Sequence, residues 1–93
     1  MADCAAGELK FRFLNATALF FEAFAAQSPG KQVKVRIPEN MGFSQDGDLY
    51  DAAMLAQRFL EQTQELARLF NQRNGNDRYD RLMADNRAIA GLA

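Results

Sequence analysis

The stretch from Asp48 to Gln72, DLYDAAMLAQRFLEQTQELARLFNQ, constrains the fold of this chain more than any other. Leu49, Ala52, Ala56, Phe59, Thr63, Leu66 and Phe70 recur at alternating steps of three and four, and Ala53, Leu60 and Ala67 widen the same stripe. An α-helix gathers such positions on one side. Arg58, Glu61, Gln62, Glu65, Arg68 and Gln72 then fall on the opposite face, which is the pattern of a helix lying on a core. About 25 residues at ~1.5 Å each make a rod of roughly 37 Å, enough to span a small domain. Asp48, with Asp51 three residues on, is placed to cap its first turn, and Asn74-Gly75 to stop it, because Gly75 can enter the left-handed region past the last turn.

The rest of the chain is read as packed around this rod. Over 8–14, Leu9, Phe11 and Phe13 alternate with Lys10 and Arg12, the period of a half-buried strand. Asn15 then caps a helix over 15–27, so rich in alanine and phenylalanine that it is expected to be buried over most of its circumference. Ser28-Pro29-Gly30 ends it. The competing reading is one helix from about Ala5 to Gln27, since Glu8, Arg12, Asn15 and Glu22 also line up as a polar stripe. Over 31–37, Val33, Val35 and Ile37 alternate with Gln32, Lys34 and Arg36 in a second strand stopped by Pro38. A loop, ENMGFSQDG, covers 39–47. Asp77 and Asp80 repeat the acidic capping pattern before a last helix over 77–91, with Tyr79, Leu82, Met83, Ile89 and Ala90 toward the core. Residues 1–7 are small and unpatterned and read as a frayed leader.

These elements specify a single small α+β domain over 1–93, of order β-α-β-loop-α-α: two strands covered by three helices, the longest at about 48–72. Strands joined through a helix pair in parallel by a right-handed crossover. A sheet of two strands leaves an edge open, so a homodimer, or a partner that supplies the missing strand, is expected.

The chain has no histidine, which removes His-dependent general-base and nucleophile chemistry and most zinc sites. Its one cysteine, Cys4, cannot form an internal disulfide and has no neighbouring base, so a disulfide-built scaffold is excluded and a reducing cytoplasm fits best. No apolar run approaches the ~20 residues a bilayer needs, and no signal-peptide pattern opens the chain. The abundance of alanine and the excess of arginine over lysine suit a bacterial or phage coding sequence. Asp46, Asp48 and Asp51 cluster, yet an EF-hand starting at Asp46 would need Gly and Glu where Asp51 and Gln57 stand, so these acids read as helix caps and no metal or other cofactor is expected. Glu61 and Glu65, flanked by Arg58 and Arg68, read as a solvated charged face.

Two surfaces remain as candidates. Met41 and Phe43 are apolar residues in a loop without helical or strand period, which makes them candidate protein-binding residues. Lys10, Arg12, Lys34 and Arg36 would emerge together on the solvent face of the paired strands and form a candidate polyanion site, although no aromatic side chain interleaves with them for base stacking. Val33 to Glu39, VKVRIPE, resembles the strand and Pro-Glu turn of ribbon-helix-helix repressors, a resemblance that would imply paired strands reading a DNA groove. It covers those residues alone: the family starts a helix at Pro-Glu, whereas here a loop follows and a further βα unit precedes. The sequence therefore points to a non-catalytic protein-binding or regulatory module of inhibitor or adaptor type, with a nucleic-acid-binding regulator as the second reading. No enzyme activity is expected.

Overall fold

The computed structural model describes residues 2–34 and 49–92. Three helices, α1 (Ala2–Gln27), α2 (Ala52–Asn74) and α3 (Arg78–Ile89), accompany two short strands, β1 (Gln32–Lys34) and β2 (Leu49–Asp51). The expected class of two strands and three helices stands. Its order does not, for the described residues run α-β-β-α-α, and their longest helix is α1 rather than the one expected at 48–72.

Residues 8–14, expected as a strand, are helical and continue without a break through Asn15 to Gln27. The alternation of Leu9, Phe11 and Phe13 is real, but Glu, Leu, Lys and Arg are strong helix formers and no β-branched residue stands in the segment. Tertiary packing then selects the helix. Phe11, Leu14, Ala18 and Phe21, spaced three, four and three apart, are all buried. A strand over 8–14 would turn Phe11 and Leu14 to opposite sides. The helix also takes in 2–7, expected as a leader, where three alanines favour it. Gly7 has a packing reason: a Cβ there would stand 2.9 Å from Cζ of Phe70, so the missing side chain makes room for that ring.

The two strands pair, but antiparallel, with Gln32 opposite Asp51, Val33 opposite Tyr50 and Lys34 opposite Leu49. The parallel crossover falls with the strand at 8–14. Of the strand expected over 31–37, Gln32–Lys34 is observed and 35–37 lie outside the described residues. The long helix begins at Ala52, later than expected, because Leu49 to Asp51 is drawn into this ladder and Ala52 N–H donates to Lys31 O at 3.1 Å. Its cap is accordingly Asp51, whose Oδ1 accepts from Ala53 N–H at 2.9 Å. At the other end Gly75 takes φ 69° and donates to Asn71 O, as the Asn74-Gly75 stop requires. Asp77 gives α3 no side-chain cap. The amides of Arg78 and Tyr79 are satisfied instead by the side chains of Asn76 and Asn71, at 3.1 and 3.0 Å.

α1 and α2 form an antiparallel pair, Gly7 meeting Phe70 at one end and Phe21 stacking on Phe59 at 6.0 Å toward the other. The main core joins Leu14, Ala18 and Phe21 to Leu55, Ala56 and Phe59, with Tyr50 and the half-buried Val33 closing it from the sheet. A second cluster holds Phe11 and Ala67 with Tyr79 of α3, whose ring meets Phe11 edge-on at 4.9 Å. Thr63, in the middle of the α2 stripe, is fully buried, and its hydroxyl donates to Phe59 O at 2.7 Å. α3 departs from the expected core pattern at its end: Tyr79 is buried and Leu82 and Met83 half-buried, but Ile89 is 84% exposed. The molecule is a plate of 39 × 30 × 17 Å. Its radius of gyration of 14.0 Å exceeds the ~12 Å of a compact chain this long.

The helical reading of 8–14 separates neighbouring phenylalanines. Phe11→Ala is expected to destabilise the protein by about 3–5 kcal/mol, as loss of a buried ring does. Phe13→Ala should change stability by no more than about 0.5 kcal/mol. Urea unfolding followed by far-UV circular dichroism measures both; equal losses would restore the strand.

Candidate functional site

Elementary burial rules make the outer face of α1 the most unusual surface among the described residues. Leu9, Phe13 and Phe20 are 66%, 65% and 65% exposed, directly opposite the ridge that packs on α2. Ala16, also exposed, lies between the two phenylalanines, and the half-buried Ala23 and Phe24 continue the stripe. From Leu9 to Phe24 it runs roughly 22 Å along the helix. A helix apolar on all sides belongs inside a protein. Here one side is covered and the other is open. Scattered exposed apolar residues are ordinary, but large side chains aligned on a rigid helix make a contiguous patch of the kind that marks contact surfaces.

Beside this stripe lies a groove of about 600 Å³ between α1 and α3, lined by Phe11, Ala16, Leu19, Leu82 and Ile89. A second groove, about 550 Å³, opens on the other side of α3, with Ala25, Ala56, Leu60 and Met83 in its walls and Glu22 and Arg87 at its rim. Both exist because α3 packs its backbone chiefly on α2 and reaches α1 through side chains. At its start, Arg78 Nη1 and the Tyr79 hydroxyl donate to Glu8 Oε1 at 2.9 and 3.1 Å. At its end, Arg87 holds Glu22 with two parallel bonds of 2.6 and 2.7 Å and donates to Leu92 O at 3.1 Å.

These pairs set the electrostatics. Hydrogen bonds from Arg78 and Tyr79 hold the Glu8 carboxyl below the usual carboxylate range, and the bond from Arg87 does the same for Glu22. Burial, reinforced by Glu8, pushes the Tyr79 phenol up. Carboxylates held ionised against guanidinium groups are poor proton donors near neutral pH. Their role here is to fasten α3. The partners of Arg78 and Arg87 lie at the far end of the chain, where no local spacing reveals them. Other pairs are local to one helix: Asp77 with Arg81 at 3.1 Å, and Glu65 with Arg68, the latter pair already read as a charged face.

Only some of the residues singled out from the sequence are described. Met41, Phe43 and Arg36 lie outside the described residues. Lys10 and Arg12 sit on α1 and Lys34 on β1, so the expected common sheet face for these cations is absent, its premise having been the strand at 8–14. Arg12 is moreover 3.5 Å from Glu8. Asp51 serves as a cap, and Asp46 and Asp48 lie outside the described residues. No described helix is long and apolar enough to cross a membrane. Leu9, Phe13 and Phe20 were missed as contact residues because the strand reading turned Leu9 and Phe13 inward with Phe11. The signal for Phe20 is the all-round apolar composition of 15–27; running the helical period back through 8–14 puts Leu9 and Phe13 on the same side.

The lowered carboxyl values give a pH dependence of definite sign. A depressed folded-state value contributes stability that is fully present above the unfolded-state value and is lost as pH falls through the folded one. Stability should therefore decline below about pH 4.3, the ordinary glutamate value. In Glu8→Gln with Glu22→Gln this part of the decline should vanish, and its gap from the parent protein should close at low pH. Urea midpoints measured between neutral and acid pH test this; a constant gap would show that the two carboxylates contribute nothing through ionisation.

No protein-family model, no curated protein and no solved structure matches this chain.

Proposed function

We propose that this chain is a non-catalytic protein-binding module, of inhibitor or adaptor type, whose contact surface is the outer face of α1. One observation carries the reading: Leu9, Phe13 and Phe20 stand about two-thirds exposed on a helix whose other side is already buried. Burying an exposed phenylalanine is favourable by about 1.5–3 kcal/mol, so a complementary surface that covers these side chains gains affinity without reshaping the domain. The stripe is straight, narrow and borne on regular backbone. Its natural complement is a second amphipathic helix. The fastening of Glu8 and Glu22 as ion pairs supports a binding role over a catalytic one, as does the lack of histidine. A reducing cytoplasm suits the single cysteine.

The test compares the parent protein with Phe13→Glu plus Phe20→Glu, both tagged, in nuclease-treated lysate supplemented with an untagged copy of the chain. The parent is expected to retain a stoichiometric protein, itself or another. The double variant should lose it while its melting temperature stays within a few degrees, as for surface substitutions. Equal retention by both proteins contradicts the proposal, and so does unfolding of the variant, which would make these side chains core. Retention seen only in untreated lysate run alongside would instead favour a polyanion site involving Lys10, Arg12, Lys34 and Arg36.

A further inference from the structure

We infer that the helix seated on the outer face of α1 is α1 of a second copy, running antiparallel about a two-fold axis that passes beside Ala16 and Thr17. This rests on the reading that the face binds protein. The pattern of the stripe is its own complement. Phe13 and Phe20 stand equally far on either side of the Ala16–Thr17 peptide, and so do Leu9 and Phe24. Reversing the helix about that point therefore sets Phe13 against Phe20 of the other copy, and Leu9 against Phe24. A two-fold interface requires this kind of self-complementarity, since each residue meets the mate of its own mate. Small residues stand at the crossing, where two helices must approach within 8–10 Å.

Charge selects the direction. In a parallel, in-register pair Lys10 and Arg12 would each face their own copy. Antiparallel pairing about Ala16–Thr17 separates the two Lys10 positions by roughly 20 Å and the two Arg12 positions by roughly 14 Å along the axis. It also opposes the two helix dipoles.

The area is that of a small specific interface. Phenylalanine side chains offer about 150–250 Å² each. At the observed exposures Leu9, Phe13 and Phe20 supply roughly 350 Å² per copy and about 700 Å² per pair. Ala16, Ala23, Phe24 and the aliphatic stems of Lys10 and Arg12 add to this. Ile89, on the rim of the neighbouring groove, extends the same surface, and the total approaches the ~1,200 Å² at which specific interfaces begin.

The experiment has two arms. Sedimentation equilibrium of the parent chain is expected to give twice the 10.4 kDa chain mass, and Phe13→Glu to give that mass once with unchanged helical content. In a Cys4→Ser background, Leu9→Cys and Ala23→Cys proteins are then mixed and oxidised. Antiparallel pairing predicts the mixed disulfide and little of either homodisulfide, because the two Leu9 positions lie roughly 22 Å apart. A chain that stays monomeric up to about 100 μM overturns self-pairing. Capture of another protein that depends on Phe13 and Phe20 would then leave the binding role of the face standing. A doubled mass with homodisulfides predominating overturns the antiparallel arrangement. A doubled mass unaffected by Phe13→Glu overturns both the inference and the assignment of the face.

Discussion

The ridge of Phe11, Leu14, Ala18 and Phe21 against α2 is the interaction on which the rest of the structure depends. It fixes the rotation of α1 about its own axis, and with it the direction of every other side chain on that helix. Once Phe11 is committed to the interior beside Tyr79, Leu9 and Phe13 have nowhere to go but outward. The same rotation carries Glu8 and Glu22 to the flank over which α3 passes, where they meet Arg78 and Arg87. The core, the fastening of α3 and the exposed stripe follow from one packing choice.

Apolar and charged contacts divide the work. α1 joins α2 and the small sheet through buried aromatic and aliphatic side chains, the dominant favourable term in folding. α3 adds one buried ring, Tyr79, and otherwise depends on half-buried side chains and two partly exposed ion pairs, whose individual contributions are modest. The outcome is a thin plate with grooves on both sides of α3 and a naked apolar stripe beside one of them. A second helical layer on that stripe would give the molecule the two packed layers on which stable domains are built.

The legible parts of the fold were those specified by local chemistry. The stripe of α2, its stop at Gly75, the strand at Gln32–Lys34 and the last helix all follow from periodicity or turn residues close in sequence. The count of two strands and three helices was reached with one strand in the wrong place. The failure at 8–14 has a physical cause: five residues of alternating character satisfy a strand and one flank of a helix equally, and the arbiter, burial of Phe11 and Leu14 against α2, is a tertiary contact. That error moved the candidate site. Lys10 and Arg12 lost their common face with Lys34, and Leu9 and Phe13 changed from core to surface. The helix of 15–27 was expected to be buried over most of its circumference, whereas Phe20 is exposed: composition shows how apolar a helix is, not which of its sides the chain itself covers. The ion pairs of α3 were not legible, since each joins residues far apart in the chain.

The most direct measurement is the solvent accessibility of individual phenylalanine rings, read by NMR from their relaxation by a soluble paramagnetic agent across a dilution series of the intact protein. Phe11 and Phe21 should stay protected at every concentration, while Phe13 and Phe20 are exposed in dilute solution and become protected together as the protein is concentrated. Protection of Phe13 in dilute solution, or lasting exposure of Phe13 and Phe20 at every concentration, would contradict this expectation.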